Sequence, residues 1–347
     1  MSGSALEVDL DRLADNLRRV HEAVSPAEVM LVVKNDAYGH GLDAVVARAR
    51  REGVGWFGAF DVITGARVRD LVGPEPRVFI WTAENEAQAS LAVDLDIDIG
   101  VGDLRLFTAL TGIRGGRTAR VHLKIDTGLR RNGVRPEDWS DLVARAVAAE
   151  DAGVLSVEGI WSHIAEASDD EDDRARARFE RALAIAADAG LRPRWRHLSA
   201  SAASFARPEF RYDLVRVGAF AYGIRPAGGP EEAALGVRPV ARWTAPVTEV
   251  GADTVRIGVG SRDGLFSTLV GCTVGTPAGP RRVTAITGSR VEVTRWDGAA
   301  VGDRVTVFGA AEDGATATSL AESIGTIGEE IAVRVSPLVP RRYRGMR

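Results

Sequence analysis

Val29-Met30-Leu31-Val32-Val33-Lys34-Asn35-Asp36-Ala37-Tyr38-Gly39-His40-Gly41 is an apolar run that stops abruptly at a lysine and turns polar, aromatic and glycine-rich. A run of this length without polar alternation suits a strand buried on both faces, as in a parallel sheet. Similar runs follow at 56–60, 78–81, 97–101, 119–125, 154–161, 195–198 and 214–217. Amphipathic stretches at 43–51, 84–93, 136–149 and 169–189 separate several of them. Eight strand-like runs alternating with helices predict an α/β fold, a (β/α)8 TIM-like barrel, in preference to an open doubly wound sheet. Lys34 then stands at the carboxyl end of an early strand, the face where barrels place their sites. Ser168 precedes Glu171 by three residues, a capping-box spacing, and acids fill the next turn. That acidic cluster is therefore read as a solvated helix start, and no metal site is expected.

Beyond residue 235 the texture changes. Runs at 237–250, 254–259, 268–274, 282–286, 290–294 and 304–308 are rich in Val and Thr and punctuated by glycine. They predict a C-terminal, mostly antiparallel β domain with one short helix near 319–324. Pro226-Ala227-Gly228-Gly229-Pro230 marks the boundary. The expected domains are a barrel over 10–230 and a β domain built from 1–9 and 236–347.

A formal charge of −4 offers no basic field for nucleic acid or an anionic membrane. No apolar run approaches the ~20 residues of a bilayer span. The single cysteine, Cys272, excludes an intrachain disulfide. A cytoplasmic protein is expected. Of 44 lysine-plus-arginine residues, only Lys34 and Lys124 are lysine. Arginine substitutes for lysine on a solvated surface, but a guanidinium cannot lose its proton and attack a carbonyl. Apolar neighbours would lower the Lys34 pKa and favour a nucleophilic amine; the alternative is a strand-end lysine reaching out to solvent.

The segment Val32-Val33-Lys34-Asn35-Asp36-Ala37-Tyr38-Gly39-His40-Gly41 closely resembles the pyridoxal phosphate signature of the alanine racemase family, whose lysine forms the internal aldimine. The resemblance continues in order along the chain. Lys124-Ile-Asp-Thr-Gly-Leu-Arg-Arg-Asn-Gly133 is similar to the segment whose arginine, here Arg131, bonds the cofactor's phenolic oxygen; Arg130 replaces the usual glycine before it. Trp161-Ser-His-Ile-Ala165 resembles the segment whose histidine, His163, lies under the pyridine ring. His197-Leu-Ser-Ala-Ser-Ala-Ala203 maps the phosphate-holding serine to Ser201. Val215-Arg-Val-Gly-Ala-Phe-Ala-Tyr-Gly223 supplies the pyridine-nitrogen arginine, Arg216, and phosphate-binding amides at Gly218 and Ala219. Tyr38 adds a hydroxyl donor. The resemblance thus implies pyridoxal 5'-phosphate as cofactor, an amino acid or related amine as substrate, and a head-to-tail homodimer in which residues 5–9 add a strand to the β domain. In some members the lysine matching Lys124 is carbamylated; pairing of Lys124 with Asp126 or another acid is the alternative.

The resemblance fails in the β domain. The family's second catalytic base is a tyrosine, and the best-matching stretch, Val255-Arg256-Ile257-Gly258, puts Ile257 in its place. No tyrosine lies between Tyr222 and Tyr343. The family's Cys-Met-Asp loop is shortened away along Arg282–Val293, and Glu329 stands where a phosphate-binding tyrosine is usual. Racemisation needs proton transfer on both faces of Cα, and loss of one positioned base costs ~10² to 10⁴ in rate. The expectation is a racemase-like enzyme in which Lys34 acts as the catalytic residue but ordinary two-base alanine racemisation is impaired. The alternatives are one-base decarboxylase, aldolase or lyase chemistry, or a non-catalytic cofactor-binding partner of an intact racemase in a heteromer.

Overall fold

The computed structural model describes residues 3–113, 117–166 and 168–346. Its chain divides into two compact units: Val20–Lys34 with Arg50–Gly218, and the remaining segments Met1–Arg19, Asn35–Ala49 and Ala219–Arg347. Strand β1 (Ala5–Asp9) belongs to the second unit.

The first unit is the barrel. Its strands are β2 (Glu28–Val32), β3 (Trp56–Ala59), β4 (Arg77–Ile80), β5 (Asp98–Val101), β6 (Ala119–Lys124), β7 (Leu155–Trp161), β8 (Trp195–His197) and β9 (Leu214–Val217). They pair in parallel in the order β9-β2-β3-β4-β5-β6-β7-β8. The ring closes where Asp213 N–H donates to Arg196 O (3.2 Å) and Arg216 N–H donates to Ser199 O (3.3 Å). Helices Val62–Val72, Glu86–Asp94, Leu104–Gly112, Trp139–Asp151 and Asp169–Asp188 alternate with these strands. Asp61, Asn85, Asp103 and Ser168 each accept an amide hydrogen from the first turn of the helix that follows. The capping expected of Ser168 is there, with Glu171 N–H 3.3 Å from its hydroxyl. Met30, Trp56, Phe79, Trp161, Trp195 and Leu214 fill the interior as one apolar cluster. This is the expected barrel.

The second unit carries the remaining strands: β10 (Ala241–Val250), β11 (Thr254–Ile257), β12 (Thr273–Thr276), β13 (Gly279–Ile286), β14 (Val291–Thr294), β15 (Arg304–Phe308) and β16 (Arg341–Arg344). Their order is β11-β14-β13-β12-β15-β10-β1-β16, with β11 also bonded to β10. All described pairs are antiparallel except β1 with β16. The strand expected from residues 5–9 does join this sheet. Two local expectations are corrected. The run at 268–274 is strand only from Thr273, because Ser267–Leu269 forms a 3-10 turn and Gly271 has φ 99°. Besides the expected helix (Ala317–Ser323), a second one, Gly328–Val333, follows it.

Candidate active site

Lys34 lies just past β2, half-buried, and β2 pairs with β9 in the register Met30↔Arg216. The strand that delivers the lysine and the strand that carries Arg216 are therefore neighbours. The backbone then enters a left-handed turn, with φ between 53° and 55° at Asn35, Asp36, Ala37 and Tyr38. Left-handed conformation costs an L-residue about 1–2 kcal/mol. Local bonds hold it: Gly39 N–H donates to Asn35 O (2.9 Å) and Gly41 N–H to Asp36 O (3.0 Å). Leu42 N–H reaches Asp36 Oδ1 at 2.7 Å. His40, fully buried, directs Nδ1 at the carbonyls of Ala37 (3.0 Å) and Tyr38 (2.9 Å), so that nitrogen carries the proton. Burial lowers the His40 pKa to about 4. Tyr38 and Ala219 belong to the second unit. There Tyr38 is buried, and burial followed by the Glu329 carboxylate raises its pKa, so it remains a hydroxyl donor.

Arg216 is the hub of the barrel interior and only 2% exposed. One Nη donates to His197 Nδ1 (3.2 Å); the other donates to Ser162 O (2.8 Å), Leu198 O (2.9 Å) and His163 Nδ1 (3.1 Å). A guanidinium has no acceptor, so both histidine Nδ1 atoms must be unprotonated acceptors and both protons sit on Nε2. His197 Nε2 in turn donates to His122 Nδ1 at 2.9 Å. The direction of the whole chain is set by the arginine. His122 Nε2 ends it as a buried donor with no partner among the described residues. Burial, and then the neighbouring cations Arg216, Arg131, Lys124 and Lys34, hold His163 neutral, well below its usual pKa. His197 is neutral through burial, then His122 and Arg216, and burial brings His122 down to about 3.

Lys124 is buried at the end of β6, its Nζ 4.3 Å from the Trp161 ring centre and 2.9 Å from Asn132 Oδ1. Burial, then Arg216 and Arg131, lower its pKa to about 7. Its hydrogen-bond partner is thus an amide rather than the acid foreseen as one alternative, and Asp126 is spent elsewhere. Asp126 Oδ1 accepts from Gly128 N (2.9 Å) and Arg130 N (3.1 Å), folding the loop that carries Arg131. Val134 N–H donates to Lys124 O (2.8 Å) and fastens the loop's far end. Arg130 sits at φ 56° in this loop, a conformation glycine adopts without strain. Gly128 has φ 134°, in the region that favours glycine, and a Cβ there would stand 2.7 Å from Arg178 Nη1. This loop, His163–Ala165 and the start of helix Asp169–Asp188 line a cavity of about 900 Å³.

On the other side of Arg216, Gly218 N–H donates to Ser201 Oγ at 3.2 Å. Ser201 opens helix Ser201–Ala206, and Ala203 N–H donates to Glu166 Oε1 at 2.9 Å. Of the residues picked out in sequence, Lys34, Arg131, His163, Ser201, Arg216 and Gly218 all belong to the barrel unit. Lys34, Arg131 and His163 are coupled electrostatically, and Arg216 bonds His163 directly. Sequence reasoning passed over His122, Asn132 and Glu166, and gave His197 no role. The signal available was a histidine inside an otherwise apolar strand, at 122 and again at 197. Ile257 is fully buried in β11, opposite Val247 and Val291 in the second unit. Among the described residues no group of three or more potential ligands could hold a metal. Among the described residues no helix is long and apolar enough to cross a membrane.

Residues 8–226 match the family described as alanine racemase, N-terminal domain, and residues 285–343 match alanine racemase, C-terminal domain. Alanine racemase from Thermobifida fusca is 34% identical, with 97% of each chain covered. The Frankia casuarinae alanine racemase is 35% identical, covering 98% of this chain and 96% of its own. The crystal structure of alanine racemase from D-cycloserine producing Streptomyces lavendulae superposes with a TM-score of 0.92 at 31% identity, covering 99% of this chain and 98% of that one. On sequence and on fold alike, this chain belongs to the alanine racemase family.

Proposed function

We propose that this chain is a pyridoxal phosphate-dependent enzyme acting at Cα of an amino acid, with Lys34 as the cofactor-bearing amine and the base on one face of Cα, and that it is not an ordinary two-base alanine racemase. The observation that carries the proposal is a pairing. The barrel unit holds Lys34, Arg131, His163 and Arg216, with Arg216 bonded to His163, while residues 223–342 contain no tyrosine and Ile257 is buried in its strand. Residues 227–284, where the second base is expected, also lie outside both family matches.

The residues present suit the cofactor in kind. Lys34 offers an amine, Arg131 an exposed cation, and Ser201 and Gly218 a hydroxyl and an amide that now bond each other and can turn to a phosphate. Glu166, now on the Ala203 amide, supplies a carboxylate that a phosphate would repel and displace. Bound pyridoxal phosphate supplies an electron sink that acidifies the bonds at Cα. Everything else falls to the chain. Lys34 Nζ takes or delivers the Cα proton on one face. Arg216 would hold the pyridine nitrogen; a guanidinium cannot accept a proton, so the sink would stay weak and side reactions would be restrained. His163, a neutral ring fixed by Arg216, would underlie the cofactor plane. With no tyrosine for the opposite face, reactions needing one base are favoured: decarboxylation, aldol cleavage or elimination. We further read residues 10–230 as the cofactor domain, 1–9 and 236–347 as the β domain, and the protein as a cytoplasmic homodimer.

Borohydride reduction of the cofactor-loaded protein should fix pyridoxal phosphate on Lys34, read by mass spectrometry, and Lys34→Ala should abolish the adduct. An adduct elsewhere, or none, refutes the reading. Exchange of Cα deuterium should favour one enantiomer; equal rates from both would show two working bases. Activity arising only after mixing with an intact racemase would favour the second reading, a cofactor-binding half of a heteromer.

A further inference from the structure

We propose that the substrate of this site carries a second acidic group, which Arg130 and Arg174 receive in the cavity beside His163; the inference rests on the functional reading above. Most of the charged groups lining that cavity are already engaged. Asp126 holds two amides of its own loop. Asp172 Oδ1 accepts from Glu166 N at 3.1 Å, and Glu137 faces Arg135 at 3.8 Å. Arg178 donates to Thr127 O at 2.8 Å. Among the described residues, Arg130, Arg131 and Arg174 remain without a bonded partner, against one such carboxylate, Glu171. With Arg131 given to the cofactor, two guanidinium groups are left facing open volume.

Arg130 is the more telling of the two. Its backbone holds the left-handed conformation that glycine would adopt freely, so its side chain is kept at a conformational cost. The same Asp126 bond that imposes this geometry makes the loop a fixed platform. The cavity, about 900 Å³, falls in the size range of small-molecule sites. Guanidinium groups recognise carboxylate and phosphate through paired N–H donors. The chemistry that fits is an α-amino acid ending in a carboxylate or a phosphate ester.

The test uses the cofactor-loaded protein and follows the visible absorbance of the cofactor. Dissociation constants are measured for L-aspartate, L-glutamate and O-phospho-L-serine against L-asparagine, L-glutamine and L-alanine. The acids should bind about tenfold tighter than their amides, the size of one charge-assisted contact. That preference should shrink as NaCl rises from about 0.05 to about 0.5 M. Arg130→Gly should bring the acid-to-amide ratio near one while raising Tm by about 2 °C, since glycine relieves the backbone and proves the variant folded. Arg174→Ala should lower the ratio by a smaller factor. Phosphoserine binding with dicarboxylates excluded, or the reverse, identifies which anion the pocket takes and supports the proposal either way. Equal binding of acids and amides overturns it, as does an Arg130→Gly variant that keeps the preference. A change of oligomeric mass in Arg130→Gly with no change in ligand affinity also overturns it, by showing a subunit contact. Borohydride fixation on Lys34 is run in parallel: without the adduct the functional reading fails, whereas an adduct without acid preference overturns only this inference.

Discussion

Replacing Arg216 by methionine removes a donor from four acceptors at once. His197 Nδ1, His163 Nδ1, Ser162 O and Leu198 O lie 2.8–3.2 Å from the guanidinium, and the residue is 2% exposed. Each buried acceptor stripped of its donor costs about 1–3 kcal/mol. Relief of the buried cation offsets part of that sum, because burial, opposed by Glu166 and reinforced by Arg131, brings the arginine down to about 9. We expect Arg216→Met to lose about 3–5 kcal/mol, the usual range for breaking a buried charged network. Arg216→Lys keeps the charge but offers three donors for four acceptors, and should lose about 1–2 kcal/mol. Urea unfolding of cofactor-free protein, followed by tryptophan fluorescence, measures both. Nitrogen NMR of the imidazoles supplies a second readout. In the native protein His197 and His163 carry their protons on Nε2, whereas in Arg216→Met both tautomers become populated. If Arg216→Met stays within about 1 kcal/mol of the parent and the tautomers do not change, the arginine is not what orients these histidines.

Stability should fall in mild acid. His122 and His40 have folded pKa values of about 3 and about 4, lowered by burial, against about 6.5 unfolded. The folded state therefore binds fewer protons below about pH 6.5, and each histidine contributes a loss of up to about 1.4 kcal/mol per pH unit down to its folded value. Equal urea midpoints at pH 7 and pH 5 would refute this. Lys124, lowered to about 7, works in the opposite window. Its folded form has shed its proton between pH 7 and about 10 while the unfolded form keeps it, so stability should rise with pH there, and Lys124→Met should abolish that rise in the same titration. Gly159→Ala should cost about 2–3 kcal/mol in a thermal melt, since its Cβ would stand 2.3 Å from His122 Nδ1 and 2.8 Å from Trp195 O; an unchanged Tm would mean the His122 ring is not held there.

The barrel was readable because a parallel strand buried on both faces leaves a continuous apolar run, as at Val29–Val33 and Leu214–Val217, and short strands elsewhere in the β unit were harder for the opposite reason. Thr268–Leu269 resembles strand by composition, yet Gly271 and a 3-10 turn interrupt it. Helix Gly328–Val333 went unseen because its six residues are too few to show a period. The left-handed turn after Lys34 had two local cues, Asn35 and Asp36, which tolerate it; Ala37 and Tyr38 are carried there by the turn's own hydrogen bonds.

From its residues alone the chain declared which chemical groups it owns: one lysine at a strand end, an arginine where a carboxylate would make a stronger sink, a tyrosine missing from the β half. Those facts depend only on residue identity and order, and no folding could alter them. Protonation and direction were decided by tertiary structure. His122 and His197 stand 75 residues apart in sequence and 2.9 Å apart in space, and which nitrogen of each carries a proton follows from an arginine on a third strand. The same holds for Lys124, whose pKa is set by burial and by two distant guanidinium groups. Desolvation and Coulomb interaction act through space, so a linear reading can name the actors but not their charges.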